Sequence, residues 1–233
     1  MNDNELKGKK MQRKKTKESQ YSLLYDVVDQ HGIATFGLMS NESWNQDPRR
    51  TVFTLSRYKF VSKMLKGKRN VLEVGCADAF ASRIVQQEVD KLTAVDFDQV
   101  FIDDIESRKN PRWPLTAFQH DMLTGPVPGN FDAAFLLDVL EHIDPNNEDT
   151  FLKNICASVV ESSPVIIGMP SIESQKYASA QSKMGHVNCK SGEEFKLFLD
   201  GYFKNVFLFS MNDEVIHTGY YPMAHYLMAV CVQ

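Results

Sequence analysis

Short apolar segments alternate with helical patterns from residue 70 onward. Apolar runs of strand length occupy residues 70–74, 92–95, 116–119, 131–137 and 165–168. Apolar positions at helical spacing predict helices between them, over about 80–89, 99–108 and 147–160. Strands that alternate with helices predict a parallel sheet with helices on both faces. We therefore expect an α/β fold built on a doubly wound sheet.

The two ends of the chain depart from this alternation. Residues 205–210 and 226–232 are apolar strands with no predicted helix between them, which predicts a C-terminal antiparallel hairpin. The N-terminal part contains helical pieces around a loop-like stretch rich in Gly, Asn, Asp and Pro, residues 31–50. The sequence thus predicts a flexible basic tail over 1–20, an N-terminal helical cap over 21–66 and a main domain over 67–233.

Composition and charge limit the classes of function. The chain is 43% hydrophobic and 24% charged, as in ordinary globular proteins. No apolar run reaches the roughly 20 residues that a membrane-spanning helix needs, and the N-terminus lacks the apolar stretch of a signal peptide. The net charge is −4 although residues 1–20 carry seven Lys or Arg against three acids, so the rest is strongly acidic. We expect a cytoplasmic protein without a membrane partner, and nucleic acid is disfavoured as an acceptor because phosphate contacts dominate such binding.

The four cysteines are widely spaced and form no C-x-x-C pair. Cys76, Cys156, Cys189 and Cys231 are therefore predicted to be reduced thiols. This spacing indicates neither a disulfide framework nor a zinc site, and we expect no metal ligands in the chain.

The turn after the first strand, in VLEVGCADAF (71–80), carries the first candidate ligand-binding residues. Glu73 is an acid inside an apolar strand, and Gly75 permits a positive φ and close approach of a ligand to the backbone. An acid there can accept a hydrogen bond from an ammonium group but does not favour a phosphate. The turn also lacks the G-x-G-x-x-G spacing of dinucleotide sites. These residues indicate a nucleoside that carries an amino acid.

Acids also follow the next three strands. Asp96 ends the second strand, where a carboxylate can accept from both ribose hydroxyls, with a helix cap as the alternative. Asp121 follows the third strand and can accept from an adenine amino group while Met122 packs on the ring, with an ordinary polar loop as the alternative. The strong fourth strand, in FDAAFLLDVLEHI (131–143), is followed by Asp138, Glu141 and His142, which core packing does not require.

The order VLEVGCADAF, AVDFD, HDM, FDAAFLLDVLEHI and VIIGMPS closely resembles class I S-adenosylmethionine-dependent methyltransferases over roughly residues 55–233. The resemblance implies a Rossmann-like sheet and S-adenosyl-L-methionine as the cofactor. It implies that the glycine turn holds the methionine part, the second strand's acid the ribose and the third loop the adenine, with Asp138 beside the transferred methyl. The cofactor-binding residues it implies are Glu73, Gly75, Cys76, Ala77, Asp96, Phe97, Asp121, Met122 and Asp138.

The glycine turn departs from the pattern E-x-G-x-G-x-G that is common in this family. Ala77 and Ala79 stand at the second and third glycine positions. Ala in a left-handed conformation costs about 1 kcal/mol, which weakens cofactor binding without abolishing it. The departure leaves open a cofactor-binding relative without catalytic activity.

An acceptor hydroxyl needs a base with a near-neutral pKa, and histidine is the natural candidate. His186 lies in a long polar stretch, residues 171–189, that we interpret as a lid over the acceptor pocket. It is our first candidate, ahead of His142 and then His217, and a hydrogen-bonded structural histidine is the alternative for each. The predicted catalytic residues are His186, His142 and Asp138.

The sequence therefore predicts methyl transfer to a hydroxyl or amine of a small-molecule acceptor, such as a sugar or another biosynthetic intermediate. Arg57 and Tyr58 can reach the cofactor's carboxylate or the acceptor from the helical cap, with a solvated Arg and a packed Tyr as the alternatives. A protein or RNA methyltransferase that docks through its basic tail is a second hypothesis. The acidic body and the absence of an N-P-P-Y-type motif count against it. The oligomeric state is not predicted.

Overall fold

Eight strands form one sheet in a computed structural model that describes residues 13–232, apart from the side chain of Gln181. Their order across the sheet is β3-β2-β1-β4-β5-β8-β6-β7. The first five strands pair in parallel, and β8 lies antiparallel between β5 and β6. The strands are β1 (Val71–Val74), β2 (Leu92–Asp96), β3 (Thr116–Gln119), β4 (Ala133–Leu137), β5 (Pro164–Pro170), β6 (Asn205–Asn212), β7 (Val215–His217) and β8 (Tyr226–Val232).

The described part of the chain contains eight α-helices and four short 3-10 helices. The α-helices are α1 (Leu23–His31), α2 (Leu38–Gln46), α3 (Pro48–Met64), α4 (Ser82–Gln86), α5 (Gln99–Ser107), α6 (Glu148–Ser158), α7 (Ala180–Gly185) and α8 (Gly192–Leu199). The 3-10 helices are Ser19–Ser22, Leu140–His142, Ile172–Tyr177 and Tyr221–Met223.

The hydrophobic core lies on both faces of the sheet. Strands β1, β2 and β4 are buried along their whole length, as expected for parallel strands covered on both sides. Leu72 of β1 packs with α6 and α8 on one face. Val71 packs on the other face with Tyr58 and Val61 of α3 and with α4. This arrangement confirms the predicted doubly wound α/β sheet with antiparallel C-terminal strands.

Several elements were not predicted from the pattern, among them α2, α8 and β7, as well as α7 within the predicted lid. Helix α2, nine residues long, lies inside the stretch expected to be a loop. Its Asn and Ser residues interrupt the apolar pattern by which a helix is predicted. Helix α8 begins at a capping box between Ser191 and Glu194. Strand β7 has three residues, too few for a periodic signal, and forms a hairpin with β6 across a turn in which Asp213 has a φ of 50°.

The predicted tail, residues 1–20, lies partly outside the described residues. Where the description begins, Arg13 forms ion pairs with Asp26 and Asp29 on α1, and all three side chains are solvent-accessible. Helix α3, by contrast, supplies buried residues to the sheet's core. None of the helices within residues 13–232 combines the length and the apolar character needed to cross a bilayer.

Candidate active site

A cavity of about 480 Å³ opens at the carboxyl ends of the central strands. Its floor is the turn after β1 and the segment after β4, and its walls come from α2, α3, β8 and residues 171–189. Ligands of open α/β sheets bind at this edge, where loops and helix N-termini meet. Among the lining residues are Arg57, Tyr58, Gly75, Cys76, Ala77, Asp78, Asp138, Glu141, His142, His186 and Tyr226.

The turn after β1 has the backbone of a glycine loop. Gly75 has a φ of +70°, and a Cβ there would collide with the side chain of Val139. Ala77 and Ala79 have φ values of 44° and 50°, so both alanines adopt the left-handed conformation that favours glycine. The loop thus adopts glycine-like backbone angles at two alanines, at an energetic cost.

Glu73 lies beneath this turn on β1 and is 1% exposed. Its Oε1 accepts a hydrogen bond of 2.7 Å from the Tyr58 hydroxyl, and its Oε2 has no hydrogen-bond partner. Burial raises the pKa of Glu73 to about 7, although the hydrogen bond from Tyr58 opposes this shift. Glu73 itself does not line the cavity, but Tyr58 and Gly75 do. Oε2 thus makes no hydrogen bond of ordinary geometry, and the nearby Ser82 side chain also lowers the pKa of this carboxyl.

Asp78 joins the turn to α2. Its carboxylate accepts from the backbone N–H of Ser40 at 2.6 Å and from the Ser40 hydroxyl at 3.1 Å. Arg108 of α5 donates to the Asp78 carbonyl oxygen at 2.6 Å. The N-terminal end of α2 is thereby fixed over the turn and forms part of the cavity wall.

The predicted ribose and adenine residues lie beside the cavity rather than on it. Asp96 is 5% exposed and accepts from the backbone N–H of Ala77 at 2.9 Å and of Asp98 at 3.0 Å. Phe97 is exposed, Asp121 accepts from the N–H of Leu123 at 2.8 Å, and Met122 is buried in the core. None of these four predicted residues lines the cavity. Phe97 and Asp121 nevertheless share an edge, because β2 and β3 pair through Asp96 and Gln119.

Asp138 is held in place by α3 and β8. It has a φ of 58°, and its carboxylate accepts from Arg57 Nη1 at 2.8 Å and 2.5 Å. The Asp138 N–H donates to the Tyr226 hydroxyl at 3.1 Å, and the Arg57 guanidinium lies 3.8 Å from the centre of the Tyr226 ring. The Arg57 side chain is therefore largely buried, in contact with Asp138 and Tyr226, rather than solvated. Tyr226 was missed in the sequence, because only the pairing of β8 with β5 brings it to this edge.

Glu141, His142 and His186 form a cluster at the far side of the cavity. One ligand atom of each side chain lies within 4.8 Å of those of the other two. The rings of His142 and His186 meet edge to face with centroids 5.1 Å apart. Burial, and then the neighbouring His142, lower the pKa of His186, while Asp138 opposes that shift. Both predicted histidines are therefore brought together.

The position of His186 follows from how residues 171–189 are anchored. The backbone N–H groups of Val187 and Asn188 donate to the Glu141 carbonyl oxygen at 2.8 Å and 3.0 Å. Tyr177 and Met184 of this segment are exposed.

His217, the third candidate base, lies on β7 outside this cavity. Its ring nitrogens contact Asn212 Oδ1 at 2.9 Å and the N–H of Gly219 at 2.8 Å.

The sequence from β1 to just beyond α6, residues 71–161, matches the model of a family described as a methyltransferase domain. The matched part contains the glycine turn, Asp96, Asp138 and the Glu141–His142 pair. Residues 71–161 therefore form a methyltransferase domain, in agreement with the resemblance to class I S-adenosylmethionine-dependent methyltransferases. The methyltransferase uses S-adenosylmethionine as its cofactor.

Solved structures with similar folds include several methyltransferases. The N-methyltransferase NodS from Bradyrhizobium japonicum WM9, in complex with S-adenosyl-L-homocysteine, is 19% identical, with 82% of this chain and 90% of that chain covered and a TM-score of 0.58. The plantazolicin methyltransferase BpumL with S-adenosylhomocysteine is 15% identical, with 82% and 93% covered and a TM-score of 0.62. At these identities the likeness shows the fold alone. No curated protein gives a significant sequence match to this methyltransferase.

The residues at the cavity fit the methionine part of the cofactor. Glu73 lies behind the cavity wall rather than on it, and its Oε2, which makes no hydrogen bond of ordinary geometry, is an acceptor suited to an ammonium group. Gly75 has no side chain to block approach to the backbone, and a Cβ there has no room. Arg57 brings a fixed positive charge to the same cavity, suited to a carboxylate.

Proposed function

We propose that this methyltransferase transfers a methyl group to a hydroxyl or amine of a small molecule. The observation that carries the proposal is the cavity of about 480 Å³, which joins the glycine turn to Asp138 and His186. Its volume lies within the range of small-molecule sites, about 300–1,000 Å³. Helix α2 and residues 171–189 form two of its walls.

The cofactor end of the proposed site lies at the glycine turn. We assign the amino group to Glu73, the carboxylate to Arg57 and the backbone of Gly75, Cys76 and Ala77 to the methionine chain. Asp96 with Phe97 is assigned to the ribose, and Asp121 with Met122 to the adenine. Since Met122 is buried and Asp96 already accepts two backbone hydrogen bonds, the ribose and adenine assignments require local adjustment when the cofactor binds.

The acceptor end lies at Asp138, His142 and His186. When bound, S-adenosylmethionine would supply the methyl group, with the electron pair of the carbon–sulfur bond left on sulfur, and Asp138, His142 and His186 would line the side from which the acceptor's oxygen or nitrogen approaches. Each histidine ring donates from Nδ1, because its Nδ1 faces an oxygen: Gly185 O for His142 and Gln175 Oε1 for His186, at 2.9 Å and 2.8 Å. Each Nε2 then carries a lone pair that can accept the acceptor's proton.

The acceptor class has support beyond the cavity. Among proteins of similar fold, NodS is described as an N-methyltransferase, and BpumL has also been solved with a monoazolic desmethylPZN analog. From these two proteins we take only the expectation that the acceptor is a small organic molecule. A cytoplasmic location with no membrane or nucleic-acid partner remains part of the proposal, on the charge and composition of the chain.

Calorimetric titration with S-adenosylhomocysteine and with NAD tests the cofactor end. We expect the first to bind and the second not to bind, since the turn has an acid below it and no dinucleotide glycine spacing. Tighter binding of NAD would overturn the assignment.

A screen of small hydroxyl and amine acceptors, followed through S-adenosylhomocysteine release, tests the acceptor end. With an acceptor found, His186→Ala should lower kcat by roughly 10²–10⁴ and leave S-adenosylmethionine affinity unchanged. His217→Ala is the matched control, because His217 lies outside the cavity. Wild-type turnover of His186→Ala would remove His186 from the mechanism and leave His142 as the base.

A further inference from the structure

Glu141 is a buried acid whose carboxylate is not used by the fold. Its side chain is fully buried, and neither Oε1 nor Oε2 has a hydrogen-bond partner. A buried carboxylate without partners is unfavourable by several kcal/mol unless a donor or a cation is supplied. Arg57, whose positive charge acts on Glu141, donates its hydrogen bonds to Asp138 instead. Core packing gives no reason for an acid at this position.

Two imidazoles lie beside this carboxylate, and each has one ring nitrogen that its own hydrogen bond leaves free. His142 and His186 each direct Nδ1 at an oxygen, from Gly185 and Gln175, which leaves Nε2 with its lone pair. The Gln175 amide is oriented by its own hydrogen bonds, because its Nε2 donates to Ser171 O at 3.2 Å and to Ser174 Oγ at 3.3 Å. Metal-binding histidines characteristically donate their second N–H to an oxygen in this way.

We infer that Glu141, His142 and His186 bind a divalent first-row transition metal ion. A carboxylate with two imidazoles suits Zn²⁺, Fe²⁺ or Co²⁺ and leaves coordination positions open. Ligand atoms of one such ion lie about 3–4 Å apart. The three side chains, already within 4.8 Å of one another, need shifts of about 1 Å or less to reach that spacing. The inference replaces our sequence-based expectation of no metal ligands.

An ion at this site would bind the acceptor molecule, and this role of the ion rests on the proposed function. All three side chains line the same cavity as Asp138. An acceptor hydroxyl at an open position of the ion would have its pKa lowered towards neutrality. Its proton would pass to solvent, so His142 and His186 would serve as ligands while the ion is bound. A vicinal diol or another chelating acceptor fits such a site best.

Absorption spectroscopy with Co²⁺ alone tests the metal site without any acceptor. The purified full-length chain, stripped with EDTA and dialysed, should bind one Co²⁺ and develop visible d–d bands. Glu141→Gln, His142→Ala and His186→Ala should each weaken binding more than tenfold, and His217→Ala should bind as wild type. Binding of S-adenosylhomocysteine by each variant shows that it is folded.

Variants of Gln175 test whether its hydrogen bond to His186 Nδ1 positions the His186 ring for the ion. Gln175→Ala should weaken Co²⁺ binding about 10–100-fold by releasing the His186 ring. Gln175→Glu keeps an oxygen acceptor for Nδ1 and should restore binding to near the wild-type level. Equal binding by Gln175→Ala and wild type would remove this positioning role.

The results separate the metal site from the proposed function. Absence of one-to-one Co²⁺ binding in the wild type, or binding unchanged in the three ligand variants, overturns the metal site. If methyl transfer to a small acceptor continues in EDTA, the proposed function stands with His186 as base. If S-adenosylhomocysteine does not bind at all, the proposed function fails whatever the Co²⁺ result.

Discussion

Burial of the Glu73 carboxyl beneath Tyr58 makes its protonation part of the stability of this methyltransferase. In the unfolded chain a glutamate titrates near pH 4.5, whereas burial raises the pKa of Glu73 to about 7. Between these values the folded state keeps a proton that the unfolded state has lost. The contribution of Glu73 is therefore fully present below about pH 4.5 and is lost as the pH rises through 7.

Glu73→Gln should remove this loss. We expect the wild type to lose about 3 kcal/mol of unfolding free energy through Glu73 between pH 4.5 and pH 8. The variant should show a shallower decline in urea unfolding over the same range. Glu88→Gln is the control, since Lys63 lowers the pKa of the Glu88 carboxyl and that variant should keep the wild-type decline. Identical slopes for Glu73→Gln and wild type would contradict the shift.

Asp96→Ala should weaken S-adenosylhomocysteine binding by about 1.5–3 kcal/mol, the range for hydrogen bonds to a charged group. The variant also frees the N–H of Ala77, which loosens the glycine turn. Asp98→Ala is the matched control: Asp98 caps α5 through the N–H of Val100. Calorimetry with unchanged affinity in Asp96→Ala would show that Asp96 only supports the turn.

At the scale of elements, the turn between β1 and α4 stores backbone strain. Ala77 and Ala79 both have positive φ, and each left-handed alanine costs about 1–2 kcal/mol relative to its ordinary conformation. The hydrogen bond from the Ala77 N–H to Asp96 and those of Asp78 to α2 hold the turn in this shape. The strain is thus maintained by contacts from β2 and α2.

Ala79→Gly should relieve part of that strain and raise the free energy of unfolding by about 0.5–1 kcal/mol. Ala81→Gly is the matched control, because Ala81 has a right-handed φ of −78° and glycine there should destabilise the chain. Chemical denaturation of both variants gives the comparison. Destabilisation by Ala79→Gly would show that packing of the Ala79 methyl outweighs the backbone strain.

At the scale of the whole molecule, the contrast between a basic N-terminal tail and an acidic remainder of the chain raises the question whether the tail helps to bind the acceptor. The basic tail precedes an acidic body, and Arg13 forms exposed ion pairs with α1, each worth about 1 kcal/mol or less. Deleting residues 1–20 should leave cofactor binding and small-molecule turnover nearly unchanged. A large loss of turnover with intact cofactor binding would favour a macromolecular acceptor that docks through the tail.

Much of the sheet could be predicted because its strands are buried on both faces. A strand such as β4, covered on both sides, must be apolar along its whole length, so its sequence carries the signal directly. Strand β7 has three residues and carries no such signal, because it is stabilised by pairing with β6. Helix α2 is likewise hidden by its polar composition and depends on contacts with Asp78.

The sequence by itself determined the α/β class, the order of the strands along the chain and the residue types in the turns that follow them. Those features follow from local periodicity and from turns adjacent in the chain. The tertiary structure alone decided that Arg57 and Tyr226 meet Asp138, and that His186 reaches Glu141 and His142. These contacts join elements far apart in sequence, and side-chain distances across such separations are fixed only when the sheet and its covering segments pack together.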